Sequence, residues 1–140
     1  MTLRIAPTTD IATCQALRRA VFIDEQGVDP ELEVDGLDSE AMHLLAVKQG
    51  RPVGTARILF KGEVAKVGRV CVLPERRGTG MGKALMMAAI AECRSRLGLS
   101  EVRLGAQTYA IGFYQALGFV ADGEEFIDAG IPHREMVLEL

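Results

Sequence analysis

The chain predicts an α/β fold of the mixed kind, a central sheet of parallel and antiparallel strands with helices on both faces. Three features of the sequence carry that expectation. Strand-length apolar runs and helix-period segments follow one another in the order β-α-(α)-β-β-β-α-β-α-β-β, the succession of a mixed sheet. Between Val70 and Leu97 a strand, a glycine turn and a long apolar helix adjoin, and a strand near Val102 completes a right-handed βαβ crossover. Around Gln49-Gly50-Arg51-Pro52 two apolar runs meet at a turn, the mark of an antiparallel hairpin.

In chain order, Leu3 to Ala6 reads as a short strand closed by Pro7, which has no N–H for a ladder. Thr8 or Thr9 then caps a helix over Asp10 to Asp24, with Ile11, Cys14, Leu17, Val21 and Phe22 at helical spacing. Gly27 and Pro30 interrupt it, so the stretch to Leu37 is a loop or a broken second helix. Met42 to Lys48 and Val53 to Phe60 are the hairpin strands. Lys61-Gly62-Glu63 turns the chain into a third strand, whose run Val70-Cys71-Val72-Leu73 suits a sheet covered on both faces. Pro74 ends that strand, and a helix from Gly80 to Leu97 follows, with Gly98 as its C-cap. The remainder reads as a strand over Val102 to Ala106 and a short helix over Ile111 to Leu117 stopped by Gly118. Strands over Phe119 to Phe126 and His133 to Leu138 close the chain.

With 140 residues, 49% of them hydrophobic, the chain can bury a sizeable core as one domain spanning 1–140. A net charge of -3 argues against nucleic acid as a partner. No run reaches the roughly 18 apolar residues of a membrane span, and MTLRIAPTTD lacks the apolar core of a signal peptide. Cys14, Cys71 and Cys93 sit in apolar surroundings without C-x-x-C spacing, which reads as reduced core thiols of a cytoplasmic protein. His43 and His133 are the two histidines, far apart and without a carboxylate or thiolate cluster, so no metal is expected.

The chemistry concentrates in Arg77-Gly78-Thr79-Gly80-Met81-Gly82-Lys83, between the strand and the long helix. Unpaired N–H groups and the helix dipole there favour an anion, and glycines admit it close to the backbone. A Walker A loop is excluded, since Arg77 stands at its first glycine and Ala84 at its hydroxyl. The dinucleotide fingerprint is excluded too, because Lys83 or Leu85 occupies its third glycine. What remains is V-x-P-x-x-R-G-x-G-x-G over Val72, Pro74, Arg77, Gly78, Gly80 and Gly82, which resembles the acyl-CoA pyrophosphate loop of the GNAT superfamily of N-acetyltransferases. Phe113-Tyr114-Gln115-Ala116-Leu117-Gly118-Phe119 resembles that family's F-Y-x-x-x-G-F segment, and the order of elements matches its fold over most of the chain. Phe22-Ile23-Asp24-Glu25-Gln26 and Gly130-Ile131-Pro132-His133 look most like the ElaA-type branch. Many relatives carry asparagine after the strand that ends here in Gln107-Thr108.

The resemblance implies direct acetyl transfer from acetyl-CoA to a primary amine, on a small molecule or a protein, without a covalent enzyme intermediate. It implies that the loop Arg77 to Lys83 holds the pyrophosphate. It implies as well that the strand at Cys71, Val72 and Leu73 pairs with pantetheine and offers an N–H to the oxyanion. It singles out Tyr114 as the acid that protonates the leaving thiolate. The base stays open between His43 or His133, either of which suits that role or orientation of the substrate, and water relaying the proton. Asp24 to Glu40 holds eight acids and no Lys or Arg, leaving the rest of the chain net positive by five. Such a split suits a cationic amine at Glu25, Glu33, Asp35 or Asp38 and polyanionic CoA elsewhere, or else a solvated acidic loop. The reading from another class is a catalytically inactive acyl-CoA-binding sensor or regulatory module.

Overall fold

A computed structural model describes residues 3–140. Its eight strands form one sheet in the order β1-β2-β3-β4-β5-β8-β6, with β7 also paired to β8. The strands are β1 (Leu3–Thr8), β2 (Met42–Lys48), β3 (Arg51–Lys61), β4 (Val64–Val72), β5 (Glu101–Gln107), β6 (Val120–Ala121), β7 (Phe126–Asp128) and β8 (Ile131–Glu139). Every pairing is antiparallel except β4 with β5, the two strands of the crossover. Helices α1 (Ile11–Arg18), α2 (Pro30–Glu33), α3 (Met81–Arg94) and α4 (Ile111–Ala116) complete the fold.

Period-two alternation assigns the faces of the sheet. Leu44, Ala46, Ala56 and Ile58 point to one side, where Met81, Leu85, Met86, Ala89, Ile90 and Cys93 of α3 form the main core with them. On the other side Leu45 and Cys71 pack against Leu17 of α1 and Val21 just beyond it. The sheet is therefore covered on both faces. β3 and β4 approach closely under α3: a Cβ on Gly54 would lie 2.9 Å from the Cys71 carbonyl oxygen and 3.0 Å from Leu85 Cδ1.

Several boundaries differ from the sequence reading, each for a physical reason. β1 runs through Pro7 to Thr8, because on an edge strand the missing N–H faces away from the ladder. Asp10, not Thr8 or Thr9, caps α1: its carboxylate accepts from Thr13 N–H at 3.2 Å and from the Thr13 hydroxyl at 2.6 Å. Beyond Arg18 the helix widens into a π-helical segment, Arg19–Glu25, with Gln26 N–H donating five residues back to Val21. The hairpin turn is the two-residue Gln49-Gly50, both at positive φ, so β3 already begins at Arg51. Helix α3 stops at Arg94 with Ser95 as its C-cap, and Gly98 lies in the turn beyond. The expected strand from Phe119 to Phe126 is two short strands, β6 and β7, both paired to β8.

Candidate active site

β4 and β5 pair only over Val64–Lys66 against Glu101–Arg103, and then part. A bulge in β4 accompanies the parting. Thr55 faces Cys71 while Arg57 faces Gly68, so Arg69 and Val70 together stand opposite Ala56, with Arg69 in the left-handed region at φ 52°. Between the strands lies a cavity of about 510 Å³. Its walls include Gly68 and Val70 of β4, Gly105 and Gln107 of β5, Tyr114 of α4 and His133 of β8.

β4 leaves the cavity wall and delivers the chain to the glycine loop. Leu73 N–H donates to Val53 O at 2.9 Å, so it is committed to β3. By antiparallel alternation the N–H of Val72 points the other way, toward the open edge of β4. After the turn Pro74–Arg76, Gly78 and Gly80 adopt φ 78° and 82°, conformations that cost an L side chain roughly 1–2 kcal/mol. Gly80 is the N-cap of α3 and offers no side-chain acceptor; the first bond back to it comes from Ala84 N–H at 3.0 Å. Among the described residues, the N–H groups of residues 78–83 have no hydrogen-bond partner. Thr79, Met81, Gly82 and Lys83 thus present backbone donors at the positive end of the helix dipole, a cradle for an anion.

The Arg77 side chain turns elsewhere. Its Nε donates to Val72 O at 3.1 Å and its guanidinium clasps Glu25, with 2.6 Å on one arm. Those hydrogen bonds hold the Glu25 carboxyl below the ordinary carboxylate range. The loop is thereby tied to the end of the π-helical segment. Cys71 is buried, and burial pushes its thiol up to about 12, so it remains protonated at neutral pH.

The acidic segment is held by three arginines that the sequence reading did not connect with it. Arg18 Nε lies 2.8 Å from Glu33, and its two terminal nitrogens reach Asp38 at 3.0 and 2.6 Å. Arg57 holds Asp35 at 2.9 and 2.7 Å and Asp38 at 3.1 Å. Arg69 donates to the Glu33 carbonyl at 3.1 Å and to Asp35 at 3.3 Å. Hydrogen bonds from Arg57 draw the Asp35 carboxyl down to about 2 against the opposing effect of burial. Of the four candidate acceptor residues, Glu33 and Asp35 line the cavity, whereas Glu25 and Asp38 do not. The sequence signal available was faint: an acid-only segment needs cations from elsewhere, but nothing local identifies residues 18, 57 and 69 as the donors.

The two histidines separate cleanly. His43 is 2% exposed, donates from Nε2 to Asp38 O at 2.9 Å, and lies outside the cavity wall; its Nδ1 is buried without a partner. His133 lines the cavity, donates from Nδ1 to Ile131 O at 2.7 Å, and stacks on Phe126 with centroids 5.7 Å apart. Tyr114 lines the same cavity, held edge-on between Phe113 and Phe119 at 5.0 and 6.0 Å. Burial, with Tyr109 adding to it, raises the Tyr114 phenol above its ordinary value, so it carries its proton at neutral pH. Among the described residues no three His, Cys, Asp or Glu side chains gather as metal ligands do, and no helix is long and apolar enough to cross a membrane.

The chain has recognisable relatives. A sequence model of the acetyltransferase (GNAT) domain matches residues 10–140. The uncharacterized N-acetyltransferase YjcF of Bacillus subtilis is 38% identical over 122 residues, covering 86% of each chain. Escherichia coli ElaA is 31% identical with a TM-score of 0.88, over 99% of this chain and 100% of that one. An acyl-CoA N-acyltransferase from Pseudomonas aeruginosa is 30% identical with a TM-score of 0.88, over 98% of this chain and 99% of that one.

Proposed function

Because the chain belongs to the GNAT acetyltransferase family, we propose that it transfers an acetyl group from acetyl-CoA directly to a primary amine. One observation carries this reading: β4 and β5 splay into a cavity, and β4 then runs straight into a row of backbone N–H groups without partners. A long, thin donor with an anionic end and a reactive thioester suits that geometry. Its pyrophosphate takes the N–H groups of residues 78–83. Its pantetheine lies along the open edge of β4 as an added strand, with Val72 N–H directed at the thioester oxygen. Tyr114 donates its proton to the departing sulfur. Glu33 and Asp35 border the acceptor end, and the buried, unpaired thiols of Cys14, Cys71 and Cys93 suit a reducing, cytoplasmic setting.

Two assays test this. Acetyl-CoA added to the protein is expected to raise the melting temperature by mass action. Release of CoA thiol is then followed with spermidine, 2-phenylethylamine, lysine and a peptide with a free N-terminus, and at least one amine is expected to accelerate it over water. A thermal shift without thiol release from any of these would favour the sensor. The absence of any shift would remove acetyl-CoA as the donor.

A further inference from the structure

The transfer chemistry leaves one proton without a destination, and the two histidines differ in the feature that decides whether either can take it. We infer that His133 Nε2 is the general base that accepts the proton from the attacking amine, with its tautomer fixed by the Ile131 carbonyl; this rests on the transferase reading above.

A carbonyl oxygen can only accept, so the 2.7 Å contact between His133 Nδ1 and Ile131 O requires the proton on Nδ1. Neutral His133 therefore carries its lone pair on Nε2. That nitrogen is not sealed from solvent, in contrast to the partnerless Nδ1 of His43. Alternation along β8 places Ile131, His133 and Glu135 on the cavity face and Met136 and Leu138 in the core. The imidazole is held flat by Phe126, their planes 25° apart. A Cβ at Gly105 would stand 3.4 Å from Phe126 and 4.0 Å from His133 Cδ2, the carbon bonded to Nε2.

His43 has the opposite arrangement. It is protonated on Nε2 toward Asp38 O, its lone pair is buried, and it lies outside the cavity wall. The same residue type serves there as a brace for the turn at Asp38. Ionisable groups that share the cavity with His133 are Glu135 on its own strand, Asp128 of β7, Lys66 and Arg69 of β4, and the Tyr109 and Tyr114 phenols. Beyond Arg69 lie Arg57 and Asp35, paired with each other, Glu33, paired with Arg18, and Lys61 at the end of β3.

The amine lone pair attacks the thioester carbonyl carbon, and the C=O π pair moves to oxygen. His133 Nε2 removes a proton from the new ammonium. The oxyanion re-forms C=O, the C–S bond breaks, and the sulfur takes the Tyr114 proton; the histidinium returns a proton to the tyrosinate through cavity water. Amide and thiol leave, and both side chains are restored.

The tautomer is read directly by long-range ¹H–¹⁵N NMR of the free protein, with the proton of His133 expected on Nδ1; finding it on Nε2 overturns the assignment. Activity is read as CoA thiol release with the best amine of the panel above, from pH 5.5 to 9. His133→Asn keeps a donor near the Ile131 carbonyl but has no base at the Nε2 position. It is expected to lose about 10²-fold in turnover, retain the acetyl-CoA thermal shift, and lose the acid limb of the pH profile. Added imidazole is expected to restore part of the rate in His133→Gly, which packing loss alone would not allow. His43→Gln serves as the comparison and keeps the limb. An active wild type whose His133→Asn variant retains both rate and limb overturns the base alone. A wild type that binds acetyl-CoA but releases no thiol with any acceptor overturns the transferase reading, and the base with it.

Discussion

A phenol acts as an acid only while it holds its proton, and the surroundings of Tyr114 keep it there: burial first, then Tyr109, raise its pKa above 10.0. The ring is fixed by edge-on contacts with Phe113 and Phe119, neither of which uses the hydroxyl. Tyr114→Phe is therefore a clean excision. Turnover is expected to fall about 10²-fold or more while acetyl-CoA affinity and melting temperature hold, the signature of a contact made only in the transition state. Steady-state kinetics and a thermal-shift titration check it, and full turnover would return Tyr114 to packing. Cys71 illustrates the converse. Its thiol packs against Leu17 and Val21 and is pushed up to about 12 by burial, so it contributes backbone and volume, not a nucleophile.

Between strand and helix, the glycine loop divides two effects that one mutation would confuse. Gly80 sits at φ 82°, yet a Cβ there meets nothing within 4 Å. Gly80→Ala thus carries only the left-handed strain, about 1–2 kcal/mol, and is expected to keep the thermal shift with acetyl-CoA. Gly80→Glu carries the same strain and adds a negative charge at the mouth of the N–H cradle, so it is expected to lose the shift. Equal shifts in the two variants would show that the pyrophosphate does not dock there. This element was legible in the sequence because strand, glycines and helix are contiguous and each acts through local backbone geometry. The β4 bulge and the π-helical turn were not. The bulge depends on which β3 residue faces Arg69, and the π-turn on one extra residue between Val21 and Gln26, neither of which leaves a compositional mark. Pro7 misled in the same manner: its tolerance follows from β1 lying at the edge of the sheet, a property of the assembled fold.

For the molecule as a whole, charge that looks segregated along the chain is reunited in space. The acid-rich stretch was visible in the sequence, open to reading as a site for a cationic amine or as a solvated loop, but its partners lie 15 to 36 residues away on α1, β3 and β4, where no local pattern reveals them. Arg18, Arg57 and Arg69 bind Glu33, Asp35 and Asp38 into a network that fastens the α2 region across the sheet. Its effect on stability has a definite pH signature. Folded Asp35 titrates at about 2, below its ordinary 3.8, chiefly through its hydrogen bonds from Arg57. The stabilisation is consequently complete above about pH 4 and is lost as the pH falls through 2, a contribution of about 2 kcal/mol. Asp35→Asn is expected to melt several degrees lower than wild type at pH 7, since it leaves the buried Arg57 with Asp38 alone. It is also expected to lose less on acidification from pH 4 to 2, so the two melting curves converge; circular dichroism melts across that range check both. The acceptor assay separates bracing from recognition. Removing a brace lowers stability without changing the KM for spermidine or its salt dependence. Removing a carboxylate that reads the amine instead leaves the melting temperature in place and raises that KM, an effect diminished by screening over about 10 Å at 0.1 M ionic strength. With both oxygens of Asp35 already held by Arg57, the first outcome is the one expected.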